Sequence, residues 1–204
     1  MGTPKRNLIV LDHPYTLEAS NNVPHFRSFS SVLAQSLKNK LEAQNQEVDI
    51  IDLHADHFDP VMSAEDLALW RKGEPMNDLV SSYQQRILKS DRMILIFPVW
   101  WELMPAMTKG FLDKVYAKNI LYTQNPGFKM TIRLKSDFEL VVITTMGTPK
   151  LLYRTIFGKP LAKALGIGLA KKTGIKHFKW IPFSQVDKLT LERRQAILQD
   201  LSLD

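Results

Sequence analysis

Four short runs of largely apolar residues are spaced along this sequence, and they constrain the fold more than any other feature. They occupy residues 7–11, 47–53, 93–99 and 138–145. Runs of this kind are typical of strands buried on both faces, as in a parallel sheet covered by helices. A fifth and weaker run, residues 177–183, alternates more and contains Pro182, which fits a strand at the edge of a sheet.

Segments with helical periodicity separate these runs. They cover residues 30–41, 77–89, 104–118, 159–173 and 189–201, and a further helix begins near Ser63, which with Asp66 is close to a capping box. Pro105 suits the first helical position, Gly174 the position after a helix end, and Thr190 an N-cap. Strand and helix therefore alternate, which predicts an α/β fold with a mostly parallel sheet. We expect one domain over residues 1–204, with five strands in the doubly wound order 2-1-3-4-5.

Composition narrows the classes of protein that fit. The chain has no cysteine, which excludes disulfides, thiolate nucleophiles and cysteine metal sites, and which fits a reducing cytoplasm. No run approaches the ~20 apolar residues of a membrane helix, so we expect a soluble, cytoplasmic protein without a membrane span. The net charge is +6, and residues 150–180 carry eight Lys or Arg and no acid. A solvated helix face explains this segment, and the absence of recognition motifs argues against nucleic acid.

Three loops would meet at the carboxyl edge of such a sheet, where ligands of doubly wound folds bind. The first contains His13 and ends in Ser28, Phe29 and Ser30 at the start of a helix, which suits a phosphate group. The alternative is that Ser28 or Ser30 only caps that helix.

The second and third loops suit a planar ligand. Pro98 and Val99 lead into Trp100 and Trp101, of which one could border a flat aromatic molecule, although ordinary core packing is the alternative. The third loop, residues 144–149, combines hydroxyls with a glycine and could equally be a tight turn. Its candidate binding residues are Thr144, Thr145 and Gly147.

Residues 97–116 read FPVWWELMPAMTKGFLDKVY, and this stretch resembles the NAD(P)H quinone oxidoreductase family with the flavodoxin-like fold. The family pattern is F-P-hydrophobic-W/Q-W, then M/V-P-A, then K-G, two hydrophobic residues and D/E-R/K-V. The histidine and S-F pair of the first loop and the T-T-x-G of the third match as well. The family includes DT-diaphorase-type enzymes, modulator-of-drug-activity-B-type reductases and ancillary proteins of potassium efflux systems. The resemblance implies a flavodoxin-like three-layer sandwich.

The resemblance also implies a function. We expect FMN, with FAD possible, held by the first loop at its phosphate end and by the other two loops at the isoalloxazine ring. NADPH or NADH would donate hydride to flavin N5, and a quinone-like acceptor would take it in a ping-pong reaction, with no metal involved. The basic segment favours NADPH. Trp101 and a proton-relay tyrosine, Tyr153, are the catalytic candidates. Met146 departs from the family's first glycine, which crowds the ring or reshapes the turn.

Family members are commonly homodimers, and the resemblance implies a homodimer here, with residues 104–116 near the interface. The alternative function is a flavin-binding regulatory subunit of a transporter or other partner, with little turnover of its own. An electron-transfer flavodoxin is disfavoured, because such proteins are usually acidic and shorter.

Overall fold

The structure, a computed structural model, describes residues 4–21, 28–128 and 130–203. Five parallel strands form the main sheet, and a separate antiparallel pair forms a small hairpin. The strands are β1 (Arg6–Leu11), β2 (Glu47–Asp52), β3 (Arg92–Pro98), β4 (Tyr122–Gln124), β5 (Met130–Ile132), β6 (Glu139–Met146) and β7 (His177–Ser184). The order in the main sheet is β2-β1-β3-β6-β7. This confirms the predicted parallel sheet and strand order, including an edge position for the strand that contains Pro182.

Alternate residues of the central strands point to opposite faces of the sheet, and each face has its own core. The helices are α1 (Phe29–Ala43), α2 (Ala64–Lys72), α3 (Asp78–Lys89), α4 (Ala106–Val115), α5 (Lys150–Arg154), α6 (Pro160–Lys163) and α7 (Leu191–Asp200). On one face Leu95 and Val142 pack with α3, α4 and α6, and on the other face Ile94 and Ile143 pack with α1 and α7. Short 3₁₀ turns occupy Leu17–Asn21, Pro126–Phe128 and Val186–Lys188. The result is a three-layer sandwich, as expected.

Helix ends follow the sequence signals closely. Ser63 and Asp66 form the reciprocal capping box at α2, and Thr190 caps α7. Gly174 adopts a φ of 94° and its N–H bonds to the Ala170 carbonyl, so it ends the preceding helix as predicted. Pro105, expected inside α4, instead precedes it as the N-cap residue.

Several features differ from the prediction, among them the short helix α5, which was not predicted. The short hairpin of β4 and β5 lies within a segment without strand periodicity. The helix expected over residues 159–173 begins as α6 and continues as a π-helix over Ala164–Lys171. In that π-helix, a Cβ on Gly166 would lie 2.9 Å from the Phe178 ring, so glycine permits the close approach to β7. In the described part of the chain, no helix is both long enough and apolar enough to cross a membrane.

Candidate functional site

The carboxyl ends of the central strands bring the three predicted loops together. The Ser30 hydroxyl, in the first turn of α1, lies 3.1 Å from the Thr145 hydroxyl near the end of β6. The Thr145 carbonyl accepts a 2.7 Å hydrogen bond from the N–H of Val99, directly after β3. Pro98 is paired with Thr145 in the sheet register. Thr145 therefore joins the loops that follow β1, β3 and β6, at the edge where doubly wound folds place their ligands.

Ser28 begins α1 as its N-cap. Its hydroxyl oxygen accepts a 3.1 Å hydrogen bond from the N–H of Ser31, the bond that a capping side chain makes with the third helical residue. The Ser31 hydroxyl lies 2.8 Å from the Ser28 oxygen and 2.7 Å from the Thr16 carbonyl. Phe29 is buried and packs edge-on against Phe183, with ring centroids 6.2 Å apart. The capping role of Ser28 is confirmed, and phosphate binding by this turn stays a prediction.

Asp12 and His13 follow β1 directly and differ in environment. Asp12 is buried and accepts hydrogen bonds from the N–H and hydroxyl of Thr108, at 2.8 and 2.5 Å, so that it caps α4 from outside the helix. The half-buried His13 accepts a 3.2 Å bond at Nδ1 from the N–H of Tyr15, which leaves the proton of the neutral ring on Nε2. Burial lowers the pKa of His13, although the Asp12 carboxylate opposes the shift. His13 is therefore an uncharged donor at neutral pH.

The two tryptophans form a tight hairpin turn at this edge. Trp100 and Leu103 exchange two backbone hydrogen bonds of 3.0 Å, and the residues between them, Trp101 and Glu102, have φ values of 50° and 63°. Positive φ at both central positions is the pattern of a type I′ turn, which ordinarily takes Asn-Gly. Trp100 is 47% exposed and Trp101 is 99% exposed, so neither belongs to the core. A bulky residue held in this conformation and in water is a strained feature of the kind found at functional sites.

Glu102 and Tyr153 connect this hairpin to the next helices. The Thr148 hydroxyl donates to a Glu102 carboxylate oxygen at 2.7 Å, and the Tyr153 hydroxyl donates to the Glu102 carbonyl at 2.9 Å. The same tyrosine oxygen accepts a 3.1 Å bond from the N–H of Leu161. Tyr153 is fully buried, and burial raises the pKa of its hydroxyl. This placement supports a positioning role for Tyr153, and the proton relay stays a prediction to which the geometry adds no support.

At the end of β6, buried side chains are followed by exposed backbone. The Thr144 hydroxyl is buried and accepts a 3.1 Å bond from the Trp180 indole. Met146 points into the core and is 2% exposed, so its side chain does not cover the loop. Gly147 is exposed, and a Cβ there would meet only Asp187 Oδ1, at 3.8 Å. The backbone at Gly147 is therefore open to the approach of a ligand.

Several residues of this edge were missed from the sequence. Asp12 and Glu102 adjoin predicted site residues, and Thr148 lies in the third loop, so their positions in the sequence could have identified them. Trp180 lies on the edge strand, and nothing in the sequence indicated that it reaches this site. Residues 22–27, at the end of the first loop, lie outside the described part of the chain.

His54 and Asp52, at the end of β2, form the contacts that hold the turn after this strand. His54 Nε2 lies 3.0 Å from Asp12 Oδ1, and Asp52 accepts backbone N–H groups from Leu17 and Ala55 at 2.6 and 3.1 Å. Across residues 4–21, 28–128 and 130–203, no three His, Asp or Glu side chains are grouped as metal ligands would be. These acids instead stabilise the turn after β2.

Comparison with known proteins places this geometry in a family. The family model described as "Flavodoxin-like fold" matches residues 13–202. An uncharacterized NAD(P)H oxidoreductase of Haemophilus influenzae is 27% identical over 195 residues, which cover 95% of this chain and 90% of the relative. The ribosyldihydronicotinamide dehydrogenase [quinone] of Mus musculus is 27% identical over 145 residues, 61% of either chain.

Solved structures share the architecture. The protein Smu.1420 of Streptococcus mutans UA159 is 26% identical and superposes with a TM-score of 0.77 over 95% of both chains. A Bacillus anthracis FMN-dependent NADH-azoreductase in complex with FMN is 15% identical and has a TM-score of 0.70 over 96% of both chains. At that identity the second likeness concerns the fold alone.

Proposed function

This chain belongs to the flavodoxin-like fold family, and on that premise we propose that it is a flavin-dependent NAD(P)H oxidoreductase with a quinone-like acceptor. The names of the two relatives support an NAD(P)H-dependent oxidoreductase and a quinone acceptor. The observation that carries the proposal is the carboxyl edge itself. It combines exposed aromatic rings and open backbone at a glycine, which suit a flat ring, with a helix N-terminus lined by hydroxyls, which suits a phosphate.

The residues of the edge fit a flavin when tested one loop at a time. The open space above Gly147 would accommodate a flat ring, since a side chain there would reach only the Asp187 carboxylate at 3.8 Å. One carboxylate oxygen of Glu102 is buried with no hydrogen-bond partner in the described part of the chain, so an acceptor remains for a ring N–H or for water.

Each predicted residue then has a role in the proposal. The first turn of α1, with Ser28 and Ser30, would hold the phosphate, because helix N–H groups favour anions. His13 would donate from Nε2 near that end. The ring would lie against the other two loops, contacted by Pro98, Val99, Trp100, Trp101, Thr144, Thr145 and Gly147. Phe29 would act through packing of the α1 start. FMN is favoured over FAD because no adenine site is evident among the residues that the structure describes.

The chemistry of the bound group is that of the cofactor, and the protein binds and orients it. A flavin held by these residues would supply hydride transfer from the nicotinamide to the acceptor in two half-reactions, a ping-pong scheme. The exposed Trp101 would border the position that nicotinamide and acceptor occupy in turn. The basic segment after Lys150 favours NADPH, and a homodimer remains part of the proposal.

The direct test is the absorption spectrum of the purified protein. We expect flavin bands that NADPH bleaches and that a quinone restores, without any partner protein. A colourless protein that takes up neither FMN nor FAD would refute the proposal. Flavin bands without turnover would favour the regulatory subunit instead.

A glycine substitution tests the placement of the ring. Gly147→Ala should leave stability within about 0.5 kcal/mol of wild type, because the new Cβ has space and the φ at Gly147 lies outside the left-handed region. The flavin Kd should rise about tenfold if a ring packs on this backbone. Gly168→Ala is the matched control, because its Cβ also meets its nearest atom at 3.8 Å but lies in the π-helix. Equal flavin affinity in the two variants would place the ring elsewhere.

A further inference from the structure

Large apolar side chains are exposed together on one side of the carboxyl edge. Leu151 and Leu152 on α5 are 72% and 40% exposed, and Ile156 and Phe157 in the following turn are 75% and 48% exposed. Apolar side chains scattered singly over a surface need no explanation, whereas a contiguous group usually marks an interaction site. We define these four residues as the α5 patch.

The patch is surrounded by cations for which the described part of the chain offers no acidic partner. Lys150, Leu151, Arg154 and Lys159 line one open recess, and Lys163 follows on α6. Residues 150–180 contain no acid. Among residues 4–21, 28–128 and 130–203, no ion pair is found for Lys150, Arg154, Lys159 or Lys163, although bases elsewhere pair repeatedly. The charge around the patch is therefore uncompensated within the described chain.

The patch is held firmly to the fold. Tyr153 is the one buried residue between Lys150 and Phe157, and its hydroxyl bonds to the Glu102 carbonyl and to the Leu161 N–H at 2.9 and 3.1 Å. Because Tyr153 fixes the inner side of α5, the neighbouring apolar and basic side chains point outward together. The Glu102 bond also joins α5 to the hairpin that carries Trp101, which is 99% exposed. The two exposed apolar segments are thus neighbours.

We propose that the α5 patch docks this protein on an anionic lipid bilayer. Apolar side chains would enter the boundary between headgroups and acyl chains, while Lys150, Arg154, Lys159 and Lys163 pair with lipid phosphates. This is peripheral binding and needs no membrane-spanning helix. Docking would hold the hairpin and its cleft against the bilayer, where lipid-soluble acceptors reside.

Charge complementarity selects the bilayer over other occupants. In a symmetric contact between two copies through this patch, the four cations on each side, Lys150, Arg154, Lys159 and Lys163, would face each other, which disfavours association. Nucleic acid would satisfy the cations but would leave Ile156 and Leu151 exposed. An anionic surface with an apolar interior matches both features.

Vesicle co-sedimentation tests the proposal and needs neither flavin nor turnover, so its outcome is separate from that of the proposed function. The full chain should bind vesicles of equal parts phosphatidylcholine and phosphatidylglycerol, more weakly as salt rises, and should bind pure phosphatidylcholine poorly. Lys150→Glu with Arg154→Glu should weaken binding at least tenfold, because each basic residue contributes about fivefold in affinity at an anionic surface. Leu151→Ser with Ile156→Ser should weaken binding by a similar factor.

Two matched controls keep the test specific. Arg71→Glu with Lys72→Glu makes the same change in net charge on α2, and Val61→Ser removes an apolar side chain that is 69% exposed elsewhere. Both should bind anionic vesicles as the wild type does. The proposal is overturned if the wild type ignores anionic vesicles at low salt, or if the control and patch variants bind equally. It is also overturned if only duplex DNA is bound, or if the patch variants change oligomeric state in light scattering while no chain binds vesicles.

Discussion

The parallel strands of the main sheet begin at one edge, the amino edge, and end at the other, the carboxyl edge. These two edges use their polar residues in opposite ways. At the amino edge, Glu139 accepts hydrogen bonds of 2.6 Å from both Lys5 and Arg92, and Asp91 pairs with Lys135 at 2.5 Å. At the carboxyl edge the hydroxyls bond to one another, two aromatic rings lie in solvent, and a carboxylate oxygen of Glu102 has no partner within the described residues. The first edge stabilises the fold, and the second leaves groups available for a ligand.

The comparison shows that polarity alone does not mark a site. Burial by itself raises the pKa of Glu139, but hydrogen bonds from Lys5 and Arg92 outweigh it and hold this pKa below its ordinary value. That network is charged, closed and structural. The carboxyl edge has fewer charges, and what distinguishes it is incomplete pairing together with strained backbone.

The largest effect should follow from opening the amino-edge network. Glu139→Ala would leave the Arg92 guanidinium, which is 7% exposed, with Asn7 as its remaining side-chain partner. Loss of one member of a buried pair costs about 3 kcal/mol, to be measured as the shift in urea unfolding free energy. The variant should also lose less stability in acid. The depressed pKa of Glu139 stabilises the fold at pH values above the pKa of this group in the unfolded chain, and this contribution is lost as pH falls through the pKa in the folded protein.

An exposed pair at the same edge is the control for that prediction. The Arg6 and Glu47 side chains are 53% and 52% exposed and lie 2.8 Å apart, so Glu47→Ala should cost less than about 1 kcal/mol. Flavin binding by the folded fraction should be normal in both variants. Equal destabilisation of the two would show that burial does not set the strength of this network.

The second effect concerns Tyr153, on the inner side of α5. Tyr153→Phe keeps the ring but leaves the Glu102 carbonyl and the Leu161 N–H without their partner, at a cost of about 2 kcal/mol in unfolding free energy. A positioning residue should leave the pH profile of kcat unchanged. An altered profile at wild-type stability would instead restore the proton relay that the family resemblance implies.

Some features of the fold and of the site could be predicted from the sequence, and others depend on contacts between distant segments. The strands and the main helices were predictable because apolar periodicity and capping residues act locally, as at Ser63 and Thr190. The strand order was inferred instead from the number of strands and from the family resemblance. The β4–β5 hairpin has only three residues per strand and gives no periodic signal. The three loops were correctly brought to one edge, since parallel strands end together. The roles of Tyr153 and Asp12 were not predictable, because contacts between distant segments decide whether a hydroxyl or carboxylate is free or already bonded.

The third effect separates function from stability at the hairpin. Trp101→Gly relieves a positive φ and removes a side chain that makes no core contact, so the unfolding free energy should be unchanged or rise by up to about 1 kcal/mol. Acceptor kcat/KM should fall about tenfold if the indole borders the ligand. Trp101→Ala removes the indole but keeps a side chain at the positive φ, so an equal fall in that variant assigns the effect to the indole and not to relief of strain. Turnover at the wild-type rate in the Trp101 variant would remove this residue from the site.

The smallest effect is a change in the titration of His13. Because burial lowers the pKa of His13 below 6.5, the unfolded chain takes up this proton first on acidification, so the contribution to stability is present above 6.5 and is lost as pH falls below it. A phosphate bound at the start of α1 would favour the charged imidazole and raise this pKa. NMR titration with and without FMN measures the difference. The resonance of His177, which begins β7 at the opposite edge, should not respond to FMN. A His13 pKa that is the same with saturating FMN would mean that the phosphate does not lie in the first loop. A different ligand would then be needed to explain why polar groups at the carboxyl edge, unlike those at the amino edge, are left without partners.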